Sequence, residues 1–155
     1  MVAGYREKGA IWMAAVDDFD EVVEQYHLVL DEFSRGNPDP LKDLYSSRDD
    51  VTIANPFFPL TRGREQVVDR LERAAQNFRD GEFGFENVAK WVSEGLACIV
   101  EMEEWRTKVG GREDVTPFRL RVTTLFRAEG GTWKVVHRHA DPITTPQPAE
   151  SVIPE

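Results

Sequence analysis

A change in hydrophobic period near residue 83 constrains the fold of this chain most strongly. From there to about residue 140 apolar and polar residues alternate, which is the period of a strand with two different faces. Turn-forming residues divide this stretch into segments 83–92, 96–109, 115–127 and 132–140. The connections are too short for a crossover helix, so the segments can pair only as an antiparallel meander.

The residues before this sheet indicate helices. In the first helix, one set of apolar side chains recurs at helical spacing: Phe19, Val22, Val23, Tyr26, Leu30 and Phe33. Asp18 is placed to cap the start of this helix, and Gly36 to end it. A short second helix is predicted to begin at Asp39-Pro40, because proline suits the first helical turn.

A third helix is predicted between Gly63 and Gly81, after a short strand at 51–54 that stops before Pro56. Its apolar side would comprise Val67, Val68, Leu71, Ala74, Ala75 and Phe78. Helices followed by a long bent sheet predict an α+β fold, in which three helices from the N-terminal half cover the concave face of a cone-shaped, curved antiparallel sheet. The mouth of the cone is the expected ligand site. We expect residues 1–155 to form one domain, with a core at 17–143 and flanking tails at 1–16 and 144–155.

The charge of the chain excludes several classes of partner. Its 155 residues carry a formal net charge of −9, which repels phosphate backbones and anionic lipid. No apolar run approaches the ~20 residues of a spanning helix, and the N-terminus lacks the pattern of a secretion signal. The single cysteine, Cys98, has no partner for an internal disulfide and is expected to fill space in the core. We therefore predict a cytoplasmic protein that binds neither nucleic acid nor membranes.

Two segments resemble a known family. The sequence VTIANPF at 51–57, followed by a helix, and the sequence WKVVHRHAD at 133–141 resemble the SnoaL-like branch of the nuclear transport factor 2-like superfamily. The order of elements agrees over residues 17–143, so the resemblance implies the cone fold. It implies no single function, because this superfamily includes polyketide cyclases, ketosteroid isomerases, dehydratases, kinase association domains and binding modules.

The resemblance argues against ketosteroid isomerase activity. Those enzymes place a tyrosine on the first helix, a base carboxylate at the end of the first strand and an acid on a later strand. Tyr26 matches the tyrosine, but Asn55 stands at the position of the base, and an amide cannot take a proton from carbon. Thr123 and Thr124 stand around the position of the acid. We predict no ketosteroid isomerase turnover by that route.

The last strand is also similar to the association domain of calcium/calmodulin-dependent kinase II, which has a comparable His-x-His. The alternation of that strand implies that Val136 and Arg138 point into the cone. The opposite, outer face would carry His137, His139, Trp133 and Val135 on this strand, with Val100 and Met102 beside them. Because so much apolar surface is unfavourable in water, we predict that this face forms a homodimer.

The same alternation selects candidate catalytic and ligand-binding residues. Glu101 and Glu103 share one face of their strand, and Arg121 and Thr123 share one face of the next. With Arg138 they would form a charged cluster inside the cone. An arginine would hold a carboxylate or enolate, while a glutamate with a pKa raised by burial moves a proton. The alternatives are a structural ion-pair lattice, or a shift in alternation that exposes the whole set.

Four further residues are candidate ligand contacts, each with a structural alternative. The side chain of Asn55 would donate to a carbonyl or cap its own turn. Tyr26 would present its hydroxyl to the pocket or fill the seam between helix and sheet. Trp91 and Trp105 would contact a ligand inside the cone, or serve only as part of its wall.

The pair His137 and His139 has the spacing of two metal ligands but lacks a third, so we predict no metal and no cofactor.

These residues lead to two alternative functions. The first is a small-molecule pocket protein that binds an anionic or carbonyl-bearing ligand, including an acid/base enzyme such as a cyclase, isomerase or dehydratase acting on a carbonyl compound. The second is a non-enzymatic association module that oligomerises through the outer face of the sheet. An open cavity holding a buried carboxylate would favour the first, and a filled cone would favour the second.

Overall fold

The structure is a computed structural model that describes the backbone of residues 2–155 and the side chains of residues 18–155. The elements follow the order α1 (Val2–Phe33), α2 (Asp39–Leu44), β1 (Thr52–Asn55), β2 (Phe58–Arg62), α3 (Arg64–Ala75), β3 (Phe78–Val92), β4 (Leu96–Val109), β5 (Thr116–Glu129) and β6 (Thr132–Asp141). A 3-10 helix at Ala149–Val152 follows. The predicted α+β fold, with three helices and a curved, unclosed sheet, is confirmed.

The six strands form one sheet in the order β2-β1-β6-β5-β4-β3. Strands β3 to β6 form the predicted antiparallel meander. Strand β1 pairs in parallel with β6, with Thr52 opposite His137 and Ala54 opposite His139. The apolar side of α1 packs on the concave face of this sheet, where the buried core lies. No described helix is both long and apolar enough to cross a membrane.

A bulge in β6 changes which side chains face the core. Leu125 pairs with His137 and Phe126 with Val135, so Val136 has no partner residue on β5. Before the bulge, Trp133 and Val135 lie in the core, with 3% and 0% of their surface exposed. The prediction that they lie on the outer face was therefore wrong, because the extra residue reverses the alternation. After the bulge, Arg138 points inward as predicted.

The start of α1, the end of α3 and the start of β3 differ most from the predictions. Helix α1 begins at Val2 rather than Asp18, because the preceding residues are rich in helix formers and contain no proline. Helix α3 ends at Ala75, and Phe78 begins β3 instead of ending the helix. The Asn77 side chain stops α3 by donating to the Arg73 carbonyl at 3.0 Å.

Strand β2 was not predicted at all. Its pairing with β1 places Arg62 opposite Thr52 and Phe58 opposite Asn55. Pro59 hides this strand in the sequence, because proline cannot donate to a ladder. It is tolerated here since β2 lies at the edge of the sheet, where one side needs no hydrogen bonds.

Candidate functional site

A small apolar cavity lies at the mouth of the cone, between α1, α3 and the concave face of the sheet. Its lining is mostly aliphatic and aromatic, and its polar members are Asn55, Arg138 and the indole of Trp105. The cavity measures about 40 Å³. At ~10–15 Å³ for each water, it has room for a few waters, whereas drug-sized ligands occupy about 300–1,000 Å³. A larger ligand therefore needs the lining to move.

Arg138 is held at this cavity by a buried ion pair with Glu103. Its Nη1 and Nη2 donate to the two carboxylate oxygens of Glu103, each at 2.7 Å. The indole Nε1 of Trp105 donates to the same carboxylate at 2.9 Å. Burial lowers the pKa of Arg138, but the carboxylate of Glu103 together with Tyr26 and Tyr45 outweighs burial and holds that pKa well above its ordinary value. The arginine is a fixed cation.

Tyr26 extends this network towards β5. Its hydroxyl accepts a hydrogen bond from Nη1 of Arg138 at 2.7 Å and lies 3.3 Å from Oγ1 of Thr124. Burial raises the pKa of Tyr26 above its ordinary value, although Arg138 acts in the opposite direction. The group is therefore a neutral phenol. Tyr26 is fully buried and does not line the cavity, so its position agrees with the prediction that it fills the seam between helix and sheet.

The network contains polar groups that have no protein partner. A guanidinium has five N–H donors, and Arg138 uses three of them on Glu103 and Tyr26, which leaves two. The hydroxyl of Tyr45 is buried and makes no hydrogen bond with any described residue. Burial raises the pKa of Tyr45 well above its ordinary value, and Tyr26, Arg138 and Glu103 are close enough to influence it. A ligand oxygen in the cavity would be able to accept from the free donors of Arg138, whereas Tyr45 does not line the cavity.

Glu101 and Glu103 face the concave side, as predicted, but each is paired with another side chain. The two carboxylate oxygens of Glu101 lie 2.9 and 2.8 Å from Nε2 of His27, on the side of the cone towards β3. Neither glutamate lines the cavity. Sequence reasoning missed His27, although it lies one turn before Leu30 and next to Tyr26, close to the predicted apolar stripe.

Arg121 and Thr123 lie on the outer face of the sheet, so their predicted placement in the cone was wrong. Directly paired residues share a face, and Glu103 pairs with Leu120 rather than Arg121. Arg121 donates from Nε to Asp141 at 2.6 Å instead. Thr123 is exposed.

Trp91 also lies outside the cone and is 61% exposed. Strand β3 has two bulges, and Trp91 follows the second one, which lies between Asn87 and Ala89, near the β3–β4 turn. This corrects the prediction that Trp91 lines the cone. Trp105 does line the cavity and is nearly fully buried.

Asn55 caps a turn and also lines the cavity. Its Oδ1 accepts hydrogen bonds from the backbone N–H groups of Phe57 and Phe58, at 3.0 and 3.1 Å. This turn places the half-exposed ring of Phe57 against Phe78 at the cavity mouth, with ring centroids 5.8 Å apart. Sequence reasoning could not assign Phe57, because its position depends on the unpredicted strand β2.

The histidines of β6 lie on the outer face, as predicted. His137 is hydrogen-bonded through Nδ1 to the hydroxyl of Thr52 at 2.7 Å, and Nε2 of His139 lies 3.2 Å from Asp141. Within residues 18–155, no group of three or more His, Cys, Asp or Glu side chains is arranged to hold a metal ion.

Solved structures with this fold are similar to the chain at low sequence identity. A proposed dehydratase of the nuclear transport factor 2-like family from Streptomyces avermitilis is 17% identical, with a TM-score of 0.70 over 85% of this chain and 99% of that one. A nuclear transport factor 2-like superfamily protein from Salmonella enterica serovar Typhimurium is 13% identical, with a TM-score of 0.71 over 92% of this chain and 98% of that one.

A proposed calcium/calmodulin-dependent protein kinase II association domain from Xanthomonas campestris is 14% identical, with a TM-score of 0.66 over 83% of this chain and 87% of that one. At such identities the likeness shows the fold alone. No curated protein matches the sequence. The model of the SnoaL-like domain matches residues 20–144, which include the whole sheet and the cavity lining. The chain belongs to the SnoaL-like domain family.

Proposed function

We propose that this protein binds a small, mainly apolar molecule in the cone, with one carbonyl or carboxylate oxygen of the ligand held by Arg138. The observation that carries the proposal is the state of this arginine. It is the one charged side chain lining the cavity among residues 18–155, and two of its N–H donors have no protein partner. Nε of Arg138 is not among the buried atoms without a partner, so a ligand or water in the cavity can accept from it.

The charge balance favours a carbonyl ligand over a carboxylate. Glu103 neutralises Arg138 through two hydrogen bonds, so the buried cluster has a net charge close to zero. A neutral carbonyl oxygen can accept from the free N–H groups without disturbing that pair. A carboxylate would add a second buried negative charge, which requires either a bound proton or the displacement of Glu103.

The same geometry supports acid/base chemistry on a carbonyl compound. Arg138 is a fixed donor at the cavity, and a donor aimed at a carbonyl oxygen stabilises the enolate that forms when a neighbouring carbon loses its proton. The hydroxyl of Tyr45 does not line the cavity and would add a second donor only if the lining moves. Glu103, the carboxylate paired with Arg138, would act as the base, and it can reach the ligand only if the lining moves, since it does not line the cavity. This route supports cyclase, isomerase or dehydratase activity, and the similarity to a proposed dehydratase agrees with it.

Matched ligands test the binding proposal. Cyclohexenone and cyclohexene have almost the same size and differ in the carbonyl oxygen. Titration calorimetry should show cyclohexenone binding more tightly by about 10- to 150-fold, as expected for one hydrogen bond to a charged donor. The Arg138→Met/Glu103→Leu double variant should lose this preference, whereas Arg121→Met, which removes an arginine from the outer face, should keep it. Equal affinities of the wild type for the two ligands would reject the proposal.

The small size of the cavity supports a second candidate, the non-enzymatic association module. At about 40 Å³ the cone is almost filled by its own side chains. The similarity to a proposed kinase association domain agrees with this alternative. It requires oligomerisation through the outer face, and it predicts no preference of the cavity for cyclohexenone over cyclohexene.

A further inference from the structure

The groove between α1 and β3 contains a histidine–glutamate pair that the cone cavity does not use. Glu101 is 1% exposed, and both of its oxygens lie within 2.9 Å of Nε2 of His27. An open space of about 400 Å³ reaches both side chains from solvent. This groove is separate from the cavity at Arg138, since the two share no lining residue.

The orientation of the His27 ring is fixed from two directions. Its ring stacks on Phe85 with centroids 3.5 Å apart and an interplanar angle of 15°, while Glu101 holds Nε2. Because a carboxylate accepts from N–H, the neutral ring carries its proton on Nε2 and leaves the lone pair on Nδ1. Nδ1 makes no hydrogen bond with a described residue and is not among the buried atoms without a partner. It is therefore open to the groove.

The groove offers a flat molecule both apolar contact and polar ends. Its apolar wall comprises Val23, Leu28 and Phe85, of which Leu28 and Phe85 are largely exposed. Lys90 and Asp20 close one end with an ion pair of 2.8 Å. An aromatic ring bound against this wall would remove apolar surface from water, and its polar substituent could reach Nδ1 of His27.

We propose that this groove is a second ligand site, which binds an aromatic compound bearing an acidic O–H group, such as a phenol. The ring of the ligand lies against Phe85 and Leu28, and its hydroxyl donates to Nδ1 of His27. Glu101 acts as a positioning residue, because it selects the ring nitrogen that accepts. The contact also tolerates transfer of the proton, since a phenolate oxygen would then accept from a protonated His27.

Phenol and anisole provide the test. They share an aromatic ring, but anisole has a methyl group in place of the hydroxyl hydrogen and cannot donate a hydrogen bond. Amide chemical shifts of the ¹⁵N-labelled protein are followed during titration with each compound. We expect phenol to shift the signals of Val23, Leu28 and Asn87, and to bind about 2- to 10-fold more tightly than anisole, as one hydrogen bond predicts. Equal affinities, or shifts confined to the cavity lining around Phe78 and Leu120, would overturn the proposal.

Variants separate the hydrogen bond from the stacking. His27→Phe keeps an aromatic ring against Phe85 and removes Nδ1, so phenol should then bind no better than anisole. Because that change leaves Glu101 buried without a partner, the His27→Phe/Glu101→Leu double variant serves if the single variant does not fold. His139→Phe is the matched control on the outer face and should keep the preference for phenol. Retention of the preference in the variants that lack His27 would contradict the assignment.

Discussion

Glu103 and Arg138 form a bidentate ion pair across strand β5, although β4 and β6 are not neighbours in the sheet. Arg138 is opposite Thr124 on β5, and Glu103 is opposite Leu120. The arginine therefore extends diagonally over β5 to reach the carboxylate. Both ends of the pair are almost fully buried, so the protein can keep either charge only while it keeps the other.

This dependence gives the first prediction. Arg138→Met should lower the free energy of unfolding by about 3–5 kcal/mol, because it leaves the carboxylate of Glu103 buried without its cation. The Arg138→Met/Glu103→Leu double variant should recover most of that loss, because apolar residues can replace a buried ion pair at little net cost. Urea denaturation of the wild type, both variants and Glu103→Leu measures the coupling.

Arg121→Met is the control for this cycle. Arg121 is 54% exposed in its ion pair with Asp141, so the loss of this pair should cost no more than about 1 kcal/mol. A loss in Arg138→Met no larger than in Arg121→Met would contradict a buried pair.

Tyr45 gives the second prediction, because its hydroxyl is buried without a protein partner. Tyr45→Phe should leave the free energy of unfolding unchanged or raise it by about 1–3 kcal/mol, since it removes an unsatisfied polar group. The same change should weaken binding of cyclohexenone if Tyr45 is the second donor to its oxygen. Tyr26→Phe is the matched control and should lower stability, because it removes a hydrogen-bond acceptor from Arg138.

Calorimetric titration and thermal unfolding of these two variants measure both effects. A stable Tyr45→Phe protein that binds cyclohexenone as tightly as the wild type would show that Tyr45 does not contact the ligand.

Much of the fold is predictable from the sequence because turns and alternation are local. The bounds of β4 follow directly from the turn residues on either side, and the inward direction of Glu101 and Glu103 follows from the strand between them. The end of α3 was not predictable in this way. Phe78 fits the helical stripe as well as it fits a strand, and packing against Phe33 and Trp105 decides between them.

The candidate site was predictable only in part, since a cluster depends on the register between strands. The inward direction of Arg138 was predicted, but the bulge at Val136, which also places Trp133 and Val135 in the core, was not, because no residue type in β6 marks it. Arg121 was misplaced because alternation within a strand does not determine which face of the sheet it starts on. His27 meets Glu101 only through the packing of α1 on the sheet, and the burial of the Tyr45 hydroxyl likewise depends on tertiary packing.

The third prediction concerns the pH dependence of stability. Burial lowers the pKa of His137 below its ordinary value, and His139 lowers it further. His137 therefore takes up its proton near pH 6.5 in the unfolded chain, but only at a lower pH in the folded protein. Stability should fall as the pH falls from 7 to 5, with a slope of at most about 1.4 kcal/mol per pH unit from this group.

His137→Asn keeps a polar group beside Thr52 and should reduce this slope, as measured by urea denaturation at several pH values. His139→Asn removes only the smaller influence on the pKa and should leave most of the slope. The same slope in the wild type and in His137→Asn would exclude His137 as its source.

The last prediction is a homodimer formed through the outer face of the meander. Trp133 and Val135 lie in the core and not on this face, so an interface there depends on the other apolar residues. Three rows of paired residues cross this face: Met102, Arg121 and Asp141; Val100, Thr123 and His139; Cys98, Leu125 and His137.

The apolar members of these rows cluster on β4 and at Leu125, next to the polar side chains of β6. An apolar centre with a polar rim is the usual composition of a protein interface. Two copies related by a two-fold axis would therefore bury Val100 and Met102 against each other's sheets.

Sedimentation equilibrium at micromolar concentration should give twice the mass of the chain. Val100→Lys should shift the protein to the monomer, because it places a charge at the centre of the interface, where desolvation is costly. Val88→Lys is the matched control, since Val88 is an exposed valine in the β3 bulge, at the edge of the sheet. This control should remain a dimer. A wild type that sediments as a monomer would contradict the predicted dimer. It would also exclude an association module that oligomerises through this face.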